Sequence, residues 1–142
     1  MKIFIGSDHG GFLAKEYVKK WLLSKGHAVD DVGAFKEESD DYSDYAKKVA
    51  KKVVASKALG ILICGSGTGM QIAANKVKGI RAAFAYDKYG AVMARKDNDA
   101  NILTLRGRKF PKKNLLPIVD SFIKTKFSNL PRHKRRISKL EK

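Results

Sequence analysis

The chain has 142 residues, 44% of them hydrophobic, and carries 30 Lys and Arg against 14 Asp and Glu, a formal charge of +16. This length suits one globular domain with a real core, so a single domain over 1–142 is expected, and no apolar run approaches the roughly 20 residues of a membrane helix. A lone cysteine excludes an internal disulfide and a Cys-based zinc cluster. The N-terminus enters a strand at once instead of showing an apolar signal-peptide region, which predicts a cytoplasmic protein.

The first strand-like run, "KIFIG", leads into Ser7-Asp8-His9-Gly10-Gly11. Phe12, Leu13, Tyr17, Val18, Trp21 and Leu22 then recur at three-to-four spacing, predicting a helix that Gly26 stops. "AVDDVG" follows as a second strand. The acidic "EESDDYSDY" reads as a loop entering a Lys-rich helix, with Ser43 or Asp44 as N-cap. In that helix Lys47, Lys48, Lys51 and Lys52 interleave with Tyr45, Ala46, Val49, Ala50, Val53 and Val54, the spacing of an amphipathic helix with a solvated face.

A third run, "GILICG", breaks into Cys64-Gly65-Ser66-Gly67-Thr68-Gly69, and "IRAAFA" and "NILTLRG" supply two more, the last ending in Arg106-Gly107-Arg108. "PKKNLLPIVDSFIKTKF" is a further amphipathic helix, and Pro131 marks the break before the basic tail 131–142. The alternation of strands and helices predicts a single α/β, Rossmann-like, three-layer domain with a five-stranded parallel sheet and a C-terminal helical tail. In such sheets ligands bind outside the carboxyl ends of the strands, so the three unusual strand ends are expected to converge on one crevice.

Glycines after a strand let bare N–H groups approach a ligand, and the helix that follows adds its positive end, so the Cys64 loop is suited to negative charge. It is not a Walker loop, and "GSGTGM" has Met70 where a dinucleotide fingerprint needs its third Gly or Ala. A free cysteine is usually a small buried hydrophobe. At a helix N-terminus, however, a thiolate is favoured and serves as nucleophile or base, with the Ser66 and Thr68 hydroxyls and loop amides placed to hold an oxyanion. A thiol base beside an oxyanion cradle suits enolisation of a carbonyl compound.

Five motifs, in order, carry a family resemblance: "GSDHGG", "DYSDYA", "GILICGSGTGMQIAANK", "NDANILTLRGR" and "RHKRR". Through them nearly the whole chain resembles the RpiB/LacAB sugar-phosphate isomerases, whose best-known members are type B ribose-5-phosphate isomerases. The resemblance implies reversible aldose–ketose conversion through an enediolate, without metal or organic cofactor, most simply ribose 5-phosphate to ribulose 5-phosphate in the pentose phosphate pathway. It implies Cys64 as the proton-shuttling base, with Ser66, Thr68 and the amides around Gly65, Gly67 and Gly69 stabilising the oxyanion. Asp8 assists ring opening, His9, Arg108, Arg132 and Arg136 bind phosphate, Tyr42 lines the sugar site, and Asn98 positions the carbonyl end. It further implies a homodimer or homotetramer with sites at the subunit interface.

The family usually reads His-Asn-Asp where this chain has Asp97-Asn98-Asp99, and that histidine is associated with protonating the ring oxygen. Asp97 is then the candidate replacement, although an ordinary aspartate is a poor acid at neutral pH. The family also has proline at Ser43 and threonine at Ser66; serine keeps the hydroxyl. Two other classes of reading stand beside isomerisation of ribose 5-phosphate or of another aldose phosphate such as an allose or galactose phosphate. One is a sugar-phosphate-binding protein without turnover. The other is nucleic-acid binding by the basic surface, against which stands the lack of any nucleic-acid motif or aromatic-interleaved basic strip.

Overall fold

The computed structural model describes residues 1–140; of the basic tail, residues 141 and 142 lie outside the described part. The strands are β1 (Lys2–Ser7), β2 (Ala28–Asp31), β3 (Leu59–Cys64), β4 (Ala82–Phe84) and β5 (Ile102–Arg106). The helices are α1 (Phe12–Ser24), α2 (Tyr42–Ser56), α3 (Thr68–Asn75), α4 (Lys88–Asn98), α5 (Leu115–Lys124) and α6 (Pro131–Leu140), with short 3-10 turns at His9–Gly11 and Lys112–Asn114. All pairings are parallel, in the order β2-β1-β3-β5-β4, as the strand and helix pattern predicts.

The central strands read as unbroken apolar runs because both their faces are covered. On one face Ile3, Ile5, Ile61, Ile63, Leu103 and Leu105 pack against Val18, Leu22, Ala91, Ile118, Val119 and Phe122 of α1, α4 and α5. On the other, Phe4, Leu62 and Cys64 meet Val49, Ala50, Val53, Met70 and Ala74 of α2 and α3. Three layers result. The strand order reverses between β1 and β3, which opens a crevice outside their carboxyl ends.

Three expectations about local structure need correcting. Helix α1 buries Ala14, Lys15, Val18 and Leu22, while Leu13 and Tyr17 are 52% and 38% exposed. Lys15 is fully buried because its ammonium meets carboxylates of Asp31 and Glu16, which Lys19 bridges from the rim. Burying an ammonium is tolerable only with such partners. Helix α2 starts at Tyr42 with Asp41 as its N-cap, so Ser43 and Asp44 fall inside the first turn. There Asp44 places its negative charge near the helix's positive end, and its N–H reaches the Asp41 carbonyl at 3.1 Å. Pro131 opens α6, where its fixed φ is pre-set for a helix and its missing N–H costs nothing. Gly26, at φ +79°, follows α1 as expected.

Candidate active site

The carboxyl ends of β1, β3 and β5 are stitched together by backbone. Gly107 donates its N–H to the Cys64 carbonyl (2.8 Å) and Arg108 to the Gly65 carbonyl (3.2 Å). The turn after β1 lies so close to β3 that a Cβ on Gly11 would stand 2.1 Å from the Ile63 carbonyl oxygen, and only glycine fits. Asp8 caps this turn, its Oδ1 accepting the Gly11 N–H at 2.9 Å. Burial, opposed by the Gly11 N–H and by the charges of His9 and Arg108, raises the Asp8 carboxyl above the ordinary carboxylate range.

Cys64 is 4% exposed and ends β3 directly below the amino end of α3. Its Sγ accepts the Gly67 N–H at 3.1 Å, and the Thr68 N–H is 3.3 Å from Ser66 Oγ. Gly67 has φ +86°, and a Cβ there would strike the Phe84 ring at 2.4 Å, so the loop can wrap the sulfur only with glycine at this position. Above it opens a cavity of about 590 Å³, a size usual for a small-molecule site. Asp8, His9, Tyr42, Cys64, Gly65, Ser66, Thr68, Gly69 and Arg108 line it, nine of the residues singled out in the sequence, and Gly67 shapes its floor from behind.

The remaining four are elsewhere. A helix that follows a parallel strand runs back against it, so the end of α4, with Asp97 and Asn98, lies at the amino edge of the sheet, opposite Cys64. There Arg81, just before β4, donates from Nε to the Asn98 carbonyl. Helix α6 is tied to the same end: Ser128 donates its N–H to the Lys96 carbonyl, and His133, nearly buried, has Nδ1 2.7 Å from Ser128 Oγ and 3.6 Å from Asp97 Oδ1. Arg132 and Arg136 stand exposed on that helix, one turn apart. Asn98 lines a second cavity, of about 670 Å³, with Gln71, Asn75, Ile80 and Leu140. Within one chain, then, Asp97, Asn98, Arg132 and Arg136 do not join the Cys64 cavity.

Several residues around that cavity are given no individual role by the sequence. Arg106 stacks its guanidinium between the rings of Tyr86 and Phe110, 4.8 Å from each centroid, and donates to the Tyr86 hydroxyl. With Arg106, the side chains of Phe84, Tyr86 and Lys109 complete the lining. Register could have revealed Arg106, since it pairs with Cys64 across β3 and β5. Asp40 Oδ1 accepts the backbone N–H of His9 at 3.0 Å and lies 2.9 Å from its Nδ1. In the sequence it is one acidic residue among several in a loop, and nothing sets it apart.

The Ribose/Galactose Isomerase family model matches residues 3–140. Ribose-5-phosphate isomerase B of Mycolicibacterium paratuberculosis is 42% identical over 139 residues, 96% of this chain and 87% of that protein. The solved ribose 5-phosphate isomerase of Thermotoga maritima is 50% identical with a TM-score of 0.96, covering 99% of this chain and 97% of its own. A Mycoplasma genitalium ribose-5-phosphate isomerase B, solved with bound ribulose 5-phosphate, is 42% identical with a TM-score of 0.93, over 99% and 93%. With strand order, cysteine loop and full-length similarity in agreement, the chain belongs to the ribose/galactose (RpiB/LacAB) isomerase family.

Proposed function

We propose that the protein interconverts ribose 5-phosphate and ribulose 5-phosphate, with Cys64 as the base. The observation that carries this reading is the placement of the Cys64 sulfur at the floor of a sugar-sized cavity, beside the amino end of α3 and between Asp8 and Arg108. Similarity to ribose-5-phosphate isomerases over nearly the whole chain supports the reaction class and substrate. Aldose–ketose isomerisation needs a base that removes a proton from one carbon and returns it to the next, and a donor set for the enediolate oxygens. Cys64 is suited to the first task. Ser66, Thr68 and the amides of Gly65, Gly67 and Gly69 are suited to the second. Asp8, whose carboxyl is raised by burial, is fitted to hand a proton to or from the sugar ring during opening. His9 and Arg108 bind the phosphate, and Tyr42 walls the sugar.

The reading also assigns the second cluster to a neighbouring copy. Helix α3 touches both regions, with Thr68 and Gly69 at the Cys64 cavity and Gln71 and Asn75 at the other. Its Ile72 and the Leu140 of α6 are 57% and 68% exposed, an apolar face left uncovered among the described residues. A twofold axis beside α3 brings the amino edge of one copy to the carboxyl edge of the other. Arg132 and Arg136 then complete the phosphate site, Asn98 holds the carbonyl end, and Asp97 stands in for the ring-opening histidine. Among the described residues no helix is long and apolar enough to cross a membrane. The test is ketose formation from ribose 5-phosphate by the purified protein, with Cys64→Ala alongside. Turnover lost in the variant supports the assignment. Phosphate-competitive binding without turnover in the parent would replace it with a binding protein.

A further inference from the structure

The Asp8, His9 and Asp40 side chains present ligand atoms within 4.8 Å of one another, the first two on the cavity lining, and Asp40 has no part in the scheme above. We infer that Asp40 is a positioning residue for His9: it holds the ring through a hydrogen on Nδ1 and leaves Nε2 facing the substrate, where Nε2 donates a hydrogen of its own to the phosphate. The inference rests on the reading of His9 as a phosphate ligand.

Three observations carry it. First, a single carboxylate oxygen, Asp40 Oδ1, accepts the backbone N–H of His9 (3.0 Å) and lies 2.9 Å from the ring Nδ1, so it restrains main chain and imidazole together. Second, the tautomer follows from the partner. An ionised carboxylate only accepts, so the nitrogen facing it must carry the hydrogen, and the Asp40 backbone N–H, 3.4 Å from Nδ1, is the weaker alternative. Asp40 is ionised in this setting: burial opposes the charge, but the His9 backbone and ring and the Tyr45 hydroxyl hold the carboxyl below its ordinary range. Third, Asp40 comes from the loop between β2 and α2, 31 residues from His9, and Tyr45 of α2 steadies it from the other side, so the pairing is a tertiary device and not a local turn.

The position of His9 shows why its orientation matters. It forms, with Arg108, the wall between the Cys64 cavity and a neighbouring one of about 440 Å³. Without the carboxylate the ring is free to turn toward that second space, where Glu37 and Lys112 offer other partners. An imidazole held by a carboxylate at one nitrogen presents the other in a fixed direction, the arrangement seen wherever a histidine must meet a ligand at one nitrogen only.

The experiment has two arms. In the unaltered protein, long-range 15N NMR of His9, assigned with His9→Ala, should show a protonated Nδ1; a neutral ring protonated only at Nε2 overturns the inference without any variant. In the second arm Asp40→Asn keeps the size but loses the charge and frees the ring to flip. The KM for ribose 5-phosphate and the inhibition constant for inorganic phosphate should both rise about tenfold, with kcat falling far less. An unchanged KM and inhibition constant in Asp40→Asn, where His9→Ala raises both, overturns the inference alone. Unchanged values in His9→Ala as well overturn the phosphate-ligand reading and the inference with it.

Discussion

The two edges of the sheet carry different kinds of chemistry. At the carboxyl edge, Cys64, Asp8 and the glycine loop are nearly immobilised: the sulfur takes a backbone N–H, Asp8 caps its own turn, and Gly11 and Gly67 occupy spaces in which a Cβ would collide. At the amino edge, Arg132 and Arg136 project from α6 into solvent, and Asp97 and Asn98 sit at a helix end. The first region is rigid and carries cations of its own in Arg106, Arg108 and Lys109. The second has charge and no cavity walls of its own around the arginines. That difference is what the proposed function explains by making them two halves of one site, one fixed and one brought by a neighbouring copy.

The largest expected effect belongs to the fixed half. Cys64→Ala should lower kcat about a thousandfold or more, the usual worth of a positioned base, with the thermal midpoint little changed. A loss of less than tenfold would move the base elsewhere. Next is the scaffold behind that half. Asp31→Asn leaves the fully buried Lys15 without its best partner and should destabilise the fold by about 3 kcal/mol in urea unfolding. The same network sets a pH dependence. Burial opposes ionisation of Asp31 and Glu16, but Lys15 and Lys19 outweigh it and lower both carboxyls. Their contribution is therefore present above the ordinary values of 3.8 and 4.5 and is lost as pH falls through the lowered folded values. Urea midpoints that drop between pH 5 and pH 3 in the parent, and less so in Asp31→Asn, would agree; equal drops would not.

The donated half should show smaller effects of another kind. Arg132→Ala and Arg136→Ala each remove an exposed cation, so folding should be unchanged. The KM for ribose 5-phosphate should nonetheless rise roughly tenfold, the cost of one charge-assisted hydrogen bond. A kcat effect with no change in KM would break the comparison, since it would make these arginines part of the chemistry. Smallest is Tyr42→Phe, which keeps the ring that walls the cavity and removes only a hydroxyl; a change in kcat/KM of about threefold or less is expected, measured in the same assay.

Much of the fixed half is legible in the sequence. Five apolar runs give the sheet because strands covered on both faces need no alternation, and the cysteine loop announces itself by three glycines and two small hydroxyls within six positions. What the sequence does not show is set by topology and by distant partners. Asp97 and Asn98 sit near the β5 cluster in the chain, yet the antiparallel run of α4 carries them to the other edge. Nothing in the sequence marks Lys15 as buried, because the carboxylate that permits its burial, Asp31, lies on another element. Asp40 reads as one more acid in a loop until the fold brings His9 to it.

The central claim, that one chain supplies the base and another the phosphate arginines, has a direct test. Cys64→Ala and the double variant Arg132→Ala/Arg136→Ala are co-expressed, purified as mixed assemblies and assayed at ribose 5-phosphate well below the parent KM, where the lost base silences the first and the raised KM the second. If halves come from different chains, random pairing makes half the dimers mixed, each with one intact site, and about a quarter of the parent activity returns. If every chain carries a whole site, the mixture will show only the average of the two crippled variants, and the account of the two edges fails.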